Sequence, residues 1–125
     1  MNVRGLSWVG LPTRDHDEAR RFVVEVLGLE PWVDRPDFTV ADLPNGDRLE
    51  LFGPSAARPH MTGPIVGLLV DDVHAARAEL EARGVEFLEP TGSDAVSGAS
   101  WAHFRGPGGW LFQLTGNPTH PAAGG

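Results

Sequence analysis

Leu6-Ser7-Trp8-Val9-Gly10-Leu11 and Ile65-Val66-Gly67-Leu68-Leu69-Val70 decide the fold. Both are short apolar runs with a glycine at the matching place. Aligning Gly10 with Gly67 sets an offset of 57 residues. Each run leads through an acidic residue into a helical pattern, so the chain is read as one unit written twice.

Working outward from the first run, Ala19, Phe22, Val23, Val26 and Leu27 fall on one face of a helix. Asp15 with Glu18 three residues later reads as an N-cap and its capping-box partner, and Gly28 as the stop. After the second run, Val73, Ala76 and Leu80 form the apolar stripe, Asp72 the cap and Gly84 the stop. Strand-like pieces follow each helix. They are Leu29 to Val33, Phe38 to Leu43 and Arg48 to Phe52 in the first half, and Val85 to Leu88, Trp101 to Phe104 and Trp110 to Thr115 in the second. Pro44-Asn45-Gly46 and Pro107-Gly108-Gly109 are hairpin turns, because both tolerate positive φ.

The expected fold class is therefore α+β: two βαβββ modules forming a curved mixed sheet, with a concave pocket inside and helices outside. Residues 4–53 form the first module, 54–63 a linker, 64–116 the second module and 117–125 a loose tail, all within a single domain over 1–125. The second module carries extra residues, assigned to a Gly/Ser-rich loop from Thr91 to Ala99. Neither half is large enough to bury a core alone.

Composition narrows the function classes. With no cysteine, disulfides, zinc–thiolate sites and cysteine nucleophiles are excluded. The formal net charge is −7 and all ten basic residues are arginines, scattered along the chain. That balance argues against nucleic acid or an anionic membrane as a partner. No apolar run approaches a bilayer span, and the N-terminal residues do not read as a signal peptide, so the expected location is cytoplasmic.

Val9-Gly10-Leu11-x-Thr13-x-Asp15 and Leu68-Leu69-Val70-Asp71-Asp72-Val73, with the helix endings Val26-Leu27-Gly28-Leu29 and Ala82-Arg83-Gly84-Val85 and the turn Gly106-Pro107-Gly108-Gly109, resemble the glyoxalase / bleomycin-resistance / extradiol-dioxygenase family (vicinal oxygen chelate superfamily) over roughly Leu6 to Thr115. The resemblance implies four metal-ligand positions, one on the first and one on the last strand of each module. They fall here on Trp8, Glu50, Ile65 and Gln113. Indole has only a donor and Ile65 has no polar atom, so the family's metal site is expected to be lost. If a divalent metal is held, the candidates are Glu50, His103 and Gln113, with His103 joining only if the hairpin sets it across from Gln113. His16 and His74 are expected in solvent near helix starts. His60 in the linker and His120 in the tail have no partner at metal-motif spacing.

The expected ligand-binding residues are Trp8, Glu50, Phe52, Ile65, Trp101, His103, Leu111 and Gln113. Alternation on the last strands sends Leu49, Leu51, Phe112 and Leu114 toward the helices and leaves Glu50 and Gln113 inward. A carboxylate in an apolar cup has a raised pKa, which makes Glu50 the candidate catalytic residue. It competes with a plain reading in which Glu50 pairs with Arg48 or another arginine, or points to solvent at a sheet edge. Two functions follow. One is a cofactor-free binding protein that sequesters an aromatic or cationic small molecule. The other is a lyase, isomerase or dioxygenase-type enzyme using Glu50, with or without a divalent metal. A homodimer is a family-level expectation.

Overall fold

The structure, a computed structural model, describes residues 1–116; the tail, 117–125, lies outside the described residues. The first half runs β1 (Val3–Pro12), α1 (His16–Arg21, continued by a wider π turn over Phe22–Val26), β2 (Glu30–Arg35), β3 (Phe38–Asp42) and β4 (Arg48–Phe52). The second half runs β5 (Ile65–Val70), α2 (Val73–Ala82), β6 (Gly92–Ser93), β7 (Ser100–Arg105) and β8 (Leu111–Gly116). All eight strands form one mixed sheet in the order β2-β3-β4-β1-β5-β8-β7-β6. The order is symmetric about its centre. There β1 and β5 pair antiparallel, while β1 with β4 and β5 with β8 pair parallel. The two halves thus join edge to edge within one chain. Among the described residues, no helix is long and apolar enough to cross a membrane.

Local chemistry explains the elements. Asp15 and Asp72 cap the helices, each accepting from the backbone N–H three residues on, at 3.1 and 3.0 Å. The hairpins turn where expected, with Gly46 at φ 90° and Gly108 at φ 77°. Under α2 the convex face buries Val70, Val73, Ala76, Ala102, Phe104 and Leu114. Under α1 it buries Val23, Ala41 and Leu51. The alternation on β4 and β8 holds: Leu49, Leu51, Phe112 and Leu114 all pack on the helix side.

Three expectations are corrected. The apolar face of α1 is only partly buried: Phe22, Val26 and Leu27 are exposed and only Val23 is fully covered. The π turn, closed by Leu27 N–H donating to the Phe22 carbonyl at 2.9 Å, breaks the 3.6-residue period on which that face rests. Val85 to Leu88 makes a single bridge, Phe87 to Phe104, instead of a strand. Pro90 lacks an N–H and cannot extend that ladder, and pairing resumes at Gly92–Ser93, inside the segment expected to be loop. His16 is buried, not exposed, with Nε2 2.9 Å from Thr39 Oγ1.

A third cluster sits on the concave face where the halves meet: Trp8, Phe52, Ile65 and Leu111, with Phe38, Ala56, Ala57 and Met61 packed against it. Trp8 lies over the seam. A Cβ at Gly10 or at Gly67 would overlap its indole ring, so glycine at these two positions lets the ring lie flat across both central strands. Gly67→Ala should therefore lower stability by about 1–3 kcal/mol in urea denaturation. Gly63→Ala, where a Cβ meets nothing, should change it little.

Candidate functional site

The curve of the sheet encloses a cavity of about 390 Å³. β1 supplies Trp8, β3 Phe38, and β4 Glu50 and Phe52; the linker supplies Ala56, Arg58 and Met61. From the second half come Ala99, Trp101, His103, Gln113 and Thr115. Of the eight residues expected at a ligand site, six line this cavity. Ile65 and Leu111 do not: they are buried in the cluster beneath, packed with Trp8 and Phe52.

A polar relay crosses the cavity floor. Trp8 Nε1–H donates to Gln113 Oε1 at 2.6 Å, and Thr115 Oγ1 donates to the same oxygen at 2.5 Å. Indole can only donate, so the amide oxygen must face Trp8 and the amide NH2 must face the other way. That NH2 meets His103 Nε2 at 3.1 Å. His103 therefore accepts at Nε2 and carries its proton on Nδ1, which donates to Glu89 Oε1 at 2.8 Å. Glu89 in turn takes Arg58 Nη1 at 2.9 Å on both oxygens. The β7–β8 register sets His103 directly across from Gln113, as their contact requires.

Charge is distributed unevenly around the cavity. Burial pushes the Glu50 carboxyl up to about 7; Arg48 pulls the other way and Asp42 adds to the rise. Arg48 does not neutralise Glu50: it pairs with Asp42 at 3.0 Å and lies over the Trp32 ring. Burial would raise Glu89 as well, but His103 and Arg58 outweigh it and hold that carboxyl below its ordinary value. Burial lowers His103 despite the opposing pull of Glu89, which favours the neutral imidazole.

The model of the Glyoxalase/Bleomycin resistance protein/Dioxygenase superfamily matches residues 5–114. The chain belongs to this superfamily. No curated protein matches it. Among solved structures it resembles a superfamily member from Vibrio splendidus 12B01 (23% identity, TM-score 0.68, 86% of this chain and 95% of that one). It also resembles methylmalonyl-CoA epimerase from Mycobacterium tuberculosis (21%, 0.68, 91% and 88%). A third likeness is to the Mn(II)-bound glyoxalase from Novosphingobium aromaticivorans (23%, 0.72, 91% of this chain but 39% of that one). At these identities the likeness is one of fold.

The side chains at the four strand positions that the resemblance implies as metal ligands are a poor donor set for an ion. Ile65 offers hydrocarbon and is fully buried. Trp8 offers only an N–H, and it points at the Gln113 oxygen that would have to ligate. Glu50 alone remains a good ligand, too few for a tightly held divalent cation.

Sequence reasoning missed three polar groups. His60 and Glu89 lie beside His103, with one potential ligand atom from each residue within 4.8 Å of the others. Arg58 enters the same cluster from the linker. Only long-range folding brings them together, and no local spacing marks them.

Glu50 has a consequence for stability. Its pKa is raised in the folded state, so it contributes most below about pH 4.5, where both states are protonated, and that contribution is lost as pH rises toward 7. Relative to Glu50→Gln, the wild-type chain should lose about 1–3 kcal/mol between pH 4.5 and 8 in denaturant titrations. The two proteins should differ little at the acid end.

Proposed function

We propose that this superfamily member binds a small planar molecule, aromatic or cationic, in the concave cavity and sequesters it without turnover. The observation that carries this reading is a largely apolar, aromatic-walled hollow in which the polar side chains of the floor are bonded to one another, while one half-buried carboxylate, Glu50, receives no hydrogen bond from any described residue. Trp101 and Phe52 offer flat faces for stacking, and Glu50 offers a partner for a ligand N–H or positive charge. Gly92 gives the Trp101 indole room to lie against β6, since a Cβ there would overlap it. The reading needs no ion at the four strand positions. It places the protein in the cytoplasm as a homodimer. Phe22, Val26 and Leu27, exposed beside one another on α1, give a second copy apolar surface to cover.

One observation favours a second reading. A carboxyl with a pKa of about 7 is poised to take or give a proton near neutrality, so an isomerase- or lyase-type enzyme with Glu50 as acid–base is the alternative.

A panel of planar aromatic amines and quaternary aromatic cations, screened by thermal shift and followed by calorimetry, tests the proposal. Binders should be recovered chemically unchanged. Glu50→Gln should weaken their affinity roughly tenfold, about 1.4 kcal/mol. Chemical conversion of a binder that stops on Glu50→Gln would favour the enzyme. Unaltered affinity in Glu50→Gln would contradict the role given to that carboxylate. Light scattering that finds only monomer would contradict the dimer.

A further inference from the structure

We propose that His60, Glu89 and His103 form a divalent-metal site beside the cavity, separate from the four strand positions that the superfamily resemblance singles out. One potential ligand atom from each lies within 4.8 Å of the others, and the His60 and His103 ring centroids are 4.7 Å apart. Two imidazoles and a carboxylate are a donor set suited to zinc and to cobalt or nickel, and three protein ligands leave a position open for water or a bound molecule.

A second observation points to a ligand. His60 Nε2 is buried with no hydrogen-bond partner. A buried polar atom left this way is destabilising, and an ion shared with Glu89 and His103 supplies the missing partner. The rest of His60 is anchored independently, since its backbone carbonyl accepts from Arg105 Nη2 at 3.0 Å.

Arg58 already stands where a cation is wanted, its Nη1 2.9 Å from both Glu89 oxygens. An incoming ion competes with that guanidinium and displaces it. The ion also needs a lone pair from His103. The nitrogen beside Glu89 is Nδ1, which carries the proton while Gln113 donates to Nε2. Ligation through Nδ1 moves that proton to Nε2, with no net change in the imidazole's charge, and Gln113 then gives up its bond to His103. Ion binding is thereby felt at Trp8, which holds the other end of the Gln113 amide.

The test uses the whole chain, free of affinity tags and stripped with chelator, titrated with Co²⁺ by visible absorbance and with Zn²⁺ by calorimetry. The expected result is saturable binding at about one ion per chain, with a shift of the Trp8 indole N–H resonance. His60→Ala, checked for folding by circular dichroism, should weaken binding roughly tenfold or more. Arg58→Met should tighten it, because a competing positive charge is removed. Glu50→Gln should leave it unchanged. Absence of saturable binding overturns the proposal, and so does binding indifferent to His60→Ala. Binding lost on Glu50→Gln would place the ion at the strand positions instead. Organic-ligand binding is measured in the stripped protein, so that reading and this one can fail separately.

Discussion

The structure turns on one hydrogen bond laid across one seam. Among the described residues, β1 and β5 are the only strands through which the two halves pair, and Trp8 lies over both. Its indole N–H reaches Gln113 on β8, one strand beyond β5. That contact ties the first half to the last strand of the second. It also fixes which way the Gln113 amide faces, and with it the tautomer of His103 and the proton shared with Glu89. A single donor-only side chain therefore sets the polarity of every group along the cavity floor. Glycine at positions 10 and 67 is the geometric condition for it.

This arrangement separates two kinds of chemistry within a small volume. On the β4 wall, Glu50 faces an apolar hollow without a compensating donor, and its proton affinity rises. On the β7 wall, Glu89 is satisfied twice over, by His103 and Arg58, and its proton affinity falls. Two carboxylates of the same intrinsic strength are thus driven apart by their surroundings alone. The first suits recognition of a donor or cation. The second suits a fixed charge within a cluster.

Much of this was legible in the sequence wherever the cause is local. Asp15 and Asp72 announce the helix starts because a short side chain satisfies the first free N–H groups, and both do so. The turns at Gly46 and Gly108 were readable from the Asn45-Gly46 and Gly108-Gly109 pairs, and both glycines adopt the positive φ that such pairs tolerate. Strand alternation placed Glu50 and Gln113 on the inner face. Two failures have local causes that a periodicity reading overlooks: the π turn exposes Phe22, Val26 and Leu27, and Pro90 stops the ladder that Val85 to Leu88 was expected to form. The His60–Glu89–His103 cluster was not legible at all. Its members come from the linker, from the residue before Pro90 and from β7, and only the closed fold makes them neighbours. His16, read as solvent-facing from its place at a helix start, is buried because Thr39 on β3 lies within hydrogen-bonding distance.

Hydrogen exchange of the tryptophan indole N–H groups, followed by NMR, reads the Trp8–Gln113 hydrogen bond itself. The four tryptophans supply their own controls, since Trp110 and Trp32 are 65% and 53% exposed and Trp8 is 5% exposed. The Trp8 indole proton should exchange as slowly as the β1 and β5 backbone amides, and Gln113→Leu should abolish this protection. A Trp8 proton exchanging as fast as that of Trp110 would contradict it, because the seam would then lack the donor on which the cavity floor is built.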